Sequence, residues 1–411
     1  MEKTVIEKLD NQGRGICYIN DIITFVPNTL PGEAVEVELT KTSKKYNEAK
    51  VISYIKKSEK RIEGKCPFFG HCGGCELLHS TYEDTLKYKK EKLESIIYRY
   101  AHIKTNIDII PSDKQLNYRN KITLKVADSK YGYYETNTHK LVQINNCLLA
   151  EEPINNFIKD FSYLNIKNGE VVIRSNYNKE LLIYIKSKEK INPDIEYLKS
   201  KHKIVGIILN DKPLVGDTSF IEIINHMLFQ VSYDSFFQVN RGICSKLFNL
   251  IEQEVKEDET ILDLYCGVGT LGINATKKAK KAYGIEIVKN AVLNAITNSK
   301  INKRDNIYYM LGDVGETLPK IKDEIDTIIV DPPRAGLDNA TKQTVLDFKA
   351  NKIIYVSCDP MTLARDLKDL QEIYNIKTIK GLDMFPFTQH CESITVLERK
   401  WVIKTWKIKL S

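Results

Sequence analysis

ETILDLYCGVGTLGINATKKAKKAYGIEI, residues 259–287, decides the fold. A strand pattern over 260–264 runs into a loop holding Gly267 and Gly269, then a helical stretch, then a second strand pattern ending at Glu286. Glycines between a strand and a helix let the backbone turn tightly and let a ligand approach the main chain. Strand, Gly-rich loop, helix, strand opens a doubly wound α/β sheet, whose ligands sit at the carboxyl ends of the strands. The alternation continues downstream in NIYYMLGDV (306–314), IDTIIVDPP (325–333) and KIIYVSCDP (352–360), each preceded by a helical stretch. The predicted α/β domain covers 231–411.

The strand ends carry the polar residues a nucleoside needs. Glu286 ends the second strand, where an acidic residue accepts hydrogen bonds from a ribose diol. Asp313, in LGDV, ends the third and suits an adenine amino group. The loop lacks both the third glycine of a dinucleotide fingerprint and the Gly-Lys-Ser/Thr of a P-loop. A nucleoside without phosphate, S-adenosylmethionine, fits this pattern. Asp331 stands at the fourth strand end in VDPPRAGLD, where two prolines give up two N–H donors, as suits a site rim. Arg334 occupies the place at which amino-methyltransferases carry an aromatic residue, which argues against amine methylation.

Upstream, residues 1–58 read as five short strands separated by Gly, Pro and Asn, the pattern of a small OB-type β-barrel. Residues 59–230 follow as a central α+β domain containing CPFFGHCGGC, in which Cys66, Cys72 and Cys75 have the spacing C-x5-C-x2-C. The chain has nine cysteines among its 411 residues, an odd number that favours metal binding or catalysis over disulfides in an intracellular protein. Hydrophobic content of 42% and charged content of 28% describe a globular protein. The apolar runs are too short for a membrane helix, and the N-terminus lacks the apolar core of a secretory signal, so a cytoplasmic location is expected. The net charge of +7 is modest. Lysines cluster in KTSKKYNEAK, IKKSEKR and KYKKEK, a candidate footprint for nucleic acid, although interleaved acids also make such runs ordinary solvated faces.

FFQVN, DLYCGVG, DPPRAGL, SCDP and the H-C-E of 390–392, in this order, resemble the RNA (uracil-C5)-methyltransferase family, and the N-terminal barrel resembles the TRAM domain of its ribosomal-RNA members. The resemblance implies a multidomain chain: an OB-like TRAM barrel, a central α+β domain with a cysteine cluster, and a Rossmann-like methyltransferase domain that uses S-adenosylmethionine. It implies Cys358 as the nucleophile that adds to C6 of uracil and Glu392 as the base that removes the C5 proton. Gln238, Tyr265, Glu286 and Asp331 would line the cofactor and reaction site. Gln238 also suits a cap for the helix near Arg241, and Tyr265 a core position. Arg334 is a candidate for helping Cys358 ionise. Cys391 reads as incidental.

Cys147 matches the family's distant fourth ligand, so with Cys66, Cys72 and Cys75 the resemblance implies a 4Fe–4S cluster. Zinc is the alternative, with His71 or His79 able to substitute for a thiol. Cys17, Cys244 and Cys266 read as core residues. The expected substrate is a uridine in 23S ribosomal RNA, with transfer RNA second, and no membrane or protein partner. A non-catalytic RNA-binding assembly factor is the competing class. The target base must be swung out and held, for which Phe236, Phe237 and Phe387 are candidates, while NYRNK at 117–121 could contact RNA.

Overall fold

Strands at Thr260–Leu264 (β1), Lys281–Glu286 (β2), Ile307–Leu311 (β3), Thr327–Val330 (β4), Lys352–Ser357 (β5), Tyr374–Leu382 (β6) and Glu392–Arg399 (β7) lie side by side in the order β3-β2-β1-β4-β5-β7-β6. The computed structural model that shows this describes residues 1–136 and 138–400, so 401–411 of the expected methyltransferase region lie outside the described residues. β1 pairs in parallel with β2 and β4, β2 with β3, and β4 with β5. β7 enters antiparallel against β5, with Ser357 opposite Ser393.

Every residue of β4 and β5 is buried, because helices cover both faces of a parallel sheet and leave no polar side to alternate with. Side chains such as Ile328, Ile353 and Ile354 each contribute roughly 1.5–3 kcal/mol by leaving water. The longer helices between the sheet's strands are Thr270–Ala275 (α1), Lys289–Ile301 (α2), Asn339–Phe348 (α3) and Pro360–Leu370 (α4). The chain moves outward from β1 to β3 and returns to β4, so the strand order reverses between β1 and β4. Such a switch point opens a crevice beyond the carboxyl ends of those two strands.

The chain divides into two compact units. The second is the sheet just described, formed by 94–108, 248–380 and the stretch from Ser393. The first comprises Met1–Leu93, Ile109–Leu247 and Gly381–Glu392. It contains a six-stranded N-terminal sheet, Glu2 to Lys56, packed around Ile6, Cys17, Ile19, Val26, Val35, Val37 and Ala49. Asn20 and Asp21 both take positive φ, 49° and 60°, which closes a two-residue hairpin between Ile19 and Ile22.

A seven-stranded sheet follows in the first unit, from Lys121–Ala127 to Lys212–Gly216. Along Lys121–Ala127, Ile122, Leu124 and Val126 point into the core while Lys121, Thr123 and Lys125 are half-buried. This is the two-residue period of a sheet with one covered face. Helix Glu152–Lys159 buries Ile154, Phe157 and Ile158 in that core. Among the described residues no helix is long and apolar enough to cross a membrane.

Candidate functional site

In the second unit, the carboxyl ends of β1, β2, β3, β4 and β5 present Tyr265, Glu286, Asp313, Asp331 and Cys358 respectively. The loop after β1 is unusual in its backbone. Tyr265 has φ +59°, a left-handed conformation rare for a bulky side chain, and Gly267 and Gly269 follow at +55° and +84°. Strain of this kind costs about 1–3 kcal/mol and persists only where its surroundings enforce it. A Cβ on Gly269 would lie 2.6 Å from the Tyr309 hydroxyl, whereas one on Gly267 would meet nothing within 4 Å. Gly269 therefore packs the loop down, and Gly267 faces open space that a ligand can approach.

Glu286 holds this loop from below. Its Oε2 accepts from Gly267 N (3.0 Å) and its Oε1 from Val288 N (2.8 Å). Remaining lone pairs on both oxygens are left for a diol. Asp313 caps the short turn after β3, accepting from Gly315 N (2.8 Å). Burial pushes the Tyr265 phenol above its ordinary range, with Thr341 opposing this and Asp338 and Asp313 adding to it.

Asp263, on β1, is a functional candidate that pattern reading passed over. It is fully buried; its Oδ2 accepts from Gly272 N (2.8 Å) and, among the described residues, its Oδ1 has no hydrogen-bond partner. Burial, reinforced by Asp331 and Glu286, pushes its carboxyl up to about 8. Burial raises Asp331 as well. Like charges this close disfavour each other's ionised form, which adds to the burial that keeps the proton on Asp263. The only sequence signal for Asp263 was an acid inside an otherwise apolar strand.

SCDP resolves into a compact device. Cys358 is half-buried directly after β5. Asp359 caps α4, accepting from Met361 N (2.8 Å) and Thr362 N (3.1 Å), and Pro360 opens the helix with φ pre-set. Ser357 Oγ accepts from Asp359 N (3.2 Å), tightening the turn around the thiol. Arg334 is exposed on the turn after Asp331.

The remaining candidates belong to the first unit. Gln238 is 9% exposed and its carbonyl accepts from Asn120 Nδ2 (3.1 Å). The helix Arg241–Glu254 is capped instead by Asn240, whose Oδ1 accepts from Ile243 N (3.3 Å). Glu392 is 2% exposed at the first position of β7. Of the three phenylalanines, Phe236 is 65% exposed, whereas Phe237 and Phe387 are buried. Within NYRNK, Tyr118 and Asn120 are buried and Asn117 is exposed.

Cys66, Cys72, Cys75 and Cys147 line one cavity of about 40 Å³ with Arg119 and Tyr133. One water needs roughly 10–15 Å³ on this scale, so the cavity accepts a group of several atoms. The Asn155 side chain clamps Cys147, accepting from its N–H (2.9 Å) and donating to its carbonyl (3.0 Å). Burial pushes the Cys72 thiol up to about 11 and Cys75 well above its ordinary value, with neighbouring thiols adding and Arg119 opposing. His71 and His79 do not line this cavity; His79 is buried against Phe69 at 5.2 Å. Cys17, Cys244, Cys266 and Cys391 are buried.

The sequence profile of the tRNA (Uracil-5-)-methyltransferase family matches residues 81–312 and 317–400, and that of the TRAM domain matches residues 5–52. An uncharacterised RNA methyltransferase of Halalkalibacterium halodurans is 31% identical over 97% of each chain. One from Clostridium tetani is 30% identical over 95% of each. The crystal structure of the Pyrococcus abyssi tRNA (uracil-54, C5)-methyltransferase in complex with S-adenosyl-L-homocysteine superposes with a TM-score of 0.80 at 26% identity, covering 96% of this chain and all of that one. Motifs, fold and relatives agree: the chain belongs to the S-adenosylmethionine-dependent RNA (uracil-5) methyltransferase family and carries a TRAM domain at its N-terminus.

Proposed function

We propose that this enzyme makes 5-methyluridine in 23S ribosomal RNA through a covalent adduct between Cys358 and C6 of the target uracil. The carrying observation is Cys358 half-buried where β5 opens into α4, in a strand register that pairs Ser357 with Ser393, the residue after Glu392. C5 of uracil is too weak a nucleophile to attack a sulfonium methyl unaided. Addition of the Cys358 thiolate to C6 breaks the C5–C6 double bond and gives an enolate with electron density at C5. S-adenosylmethionine supplies the electrophilic methyl group. Glu392 then accepts the C5 proton, the C5–C6 double bond re-forms, and the Cys358–C6 bond breaks. Splitting the reaction this way replaces one prohibitive step by easier ones.

Tyr265, Glu286, Asp313 and Asp331 would hold the cofactor in the crevice beyond β1 and β4, and Gln238 is the further residue that the family resemblance assigns to cofactor binding. Glu286 would take the ribose diol and Asp313 the adenine amino group through its uncommitted oxygen. Phe236, the exposed aromatic, would stack on RNA. The N-terminal sheet would act as an OB-like RNA-binding barrel, and the whole protein would work in the cytoplasm.

Cys66, Cys72, Cys75 and Cys147 would hold a 4Fe–4S cluster with a structural role. The four thiols line one cavity with room for a group of several atoms, and four thiolates suit a 4Fe–4S cluster. A TRAM domain together with this cysteine set supports ribosomal RNA. Transfer RNA is the second reading, favoured by the likeness to the archaeal tRNA enzyme.

The test is incubation of anaerobically purified protein with labelled S-adenosylmethionine and unmodified ribosomal or transfer RNA, followed by nucleoside mass spectrometry. Label in 5-methyluridine from 23S RNA is expected. Label from transfer RNA alone would select the second reading, and label in neither would turn the assignment to an assembly factor. Cys358→Ala should form no adduct on 5-fluorouridine RNA; an adduct with that variant would exclude Cys358 as nucleophile.

A further inference from the structure

Helix Tyr82–Ala101 buries two lysines in the first unit. The Lys89 ammonium is fully buried; it donates to Asp383 Oδ1 and to the Phe385 carbonyl (2.9 Å). The other oxygen of Asp383 accepts from the Tyr82 hydroxyl (2.8 Å), which itself accepts from Ser112 N (2.8 Å). One turn further on, Lys92 Nζ donates to the Gln389 carbonyl (2.8 Å) and to its Oε1 (2.6 Å), and Gln389 N donates to Glu76 (3.0 Å). Between these anchors, the Tyr118 hydroxyl donates to the Pro386 carbonyl (3.2 Å) and Leu77 N to the Phe387 carbonyl (3.0 Å).

Residues 383–389 are thus tied at nearly every position, and they include Phe387 at φ +61°, a conformation costly for an aromatic residue. A fully desolvated ion pair gives no more stability than a well-packed apolar pair of the same volume. What the charged arrangement adds is direction: one ammonium and one phenol fix both carboxylate oxygens and a backbone carbonyl of the same loop.

We infer that Lys89, Tyr82 and Asp383 are positioning residues for the proton-removal step, holding the loop that ends in Glu392 so that its carboxylate stays in register with the C5 proton. This rests on Glu392 being the base. The consequence is a selective defect: loosening the anchor should spare methyl transfer and slow release of the methylated adduct.

The test uses full-length protein, uridine RNA and labelled S-adenosylmethionine in a single turnover, with label counted in protein–RNA adduct and in free RNA. Glu392→Gln is the reference and should accumulate adduct. The double variant Lys89→Met, Asp383→Leu should clear adduct about a hundredfold more slowly than wild type, the scale of a misplacement of about 1 Å. Its total label should form within roughly threefold of the wild-type rate, since an interaction confined to the later step leaves the earlier one intact. Tyr82→Phe, which removes a single hydroxyl and keeps the ring, guards against misfolding and should clear adduct roughly tenfold more slowly. Wild-type clearance in both the double variant and Tyr82→Phe, with Glu392→Gln stalled, overturns the positioning role and leaves Glu392 as base. Wild-type clearance by Glu392→Gln removes the base assignment and the positioning role with it.

Discussion

Replacing Asp263 by asparagine isolates the energetic effect of an acid buried in β1. Asp263 is fully buried and its carboxyl is pushed up to about 8, against about 3.9 in an unfolded chain. Between those values the folded protein keeps the proton and the unfolded chain releases it. Stability from this group is therefore fully present below pH of about 4 and is lost as pH rises through about 8. The slope is about 1.4 kcal/mol per pH unit, or about 3 kcal/mol between pH 5 and pH 7. Asparagine keeps an oxygen for Gly272 N–H and does not titrate. Hydrogen-exchange protection of the β1 amides, corrected for intrinsic rates, should fall between pH 5 and pH 7 in wild type by about 3 kcal/mol more than in Asp263→Asn. Equal losses in the two proteins would refute the claim that Asp263 is neutral when folded.

Asp359→Ala removes the cap of α4 and should cost about 1 kcal/mol of stability; a larger loss of adduct formation than of stability, read on 5-fluorouridine RNA, would show that the cap also sets the Cys358 turn. Gly269→Ala brings a methyl group against the Tyr309 hydroxyl at φ +84°, so calorimetry should find S-adenosylmethionine binding weakened at least tenfold, a loss of about 1.4 kcal/mol. Cys147→Ser should lower bound iron and sulfide in anaerobically purified protein; full retention would exclude Cys147 as a ligand.

The strand ends were legible because parallel strands announce themselves as apolar runs, and the residue after each run must stand at the sheet's carboxyl edge. Tyr265, Glu286, Asp313, Asp331 and Cys358 could be located that way without knowing any contact. The insertion of β7 between β5 and β6 could not, since periodicity says nothing about which neighbour a strand chooses. Asp263 was hidden by its setting: an acid inside an apolar strand reads as an exception until its complete burial is seen. The cap of the helix at Arg241 went to Asn240 because geometry favours a short side chain one residue before the first turn. Lys89 was the least visible. KYKKEK reads as a solvated charge run, and its carboxylate partner lies 294 residues away in the chain.

That separation constrains how the protein is made. The first unit takes its last segment from Gly381–Glu392, after nearly all of the second unit has been translated. Until Asp383 leaves the ribosome, Lys89 has no counter-ion and cannot be buried without a penalty of several kcal/mol. Domains generally fold in the order in which they emerge, but here the N-terminal unit is completed only after the strands β1–β5 exist. A chain terminated anywhere before residue 383 would therefore keep the helix that carries Lys89 hydrated, and would present that unfinished surface to chaperones and proteases.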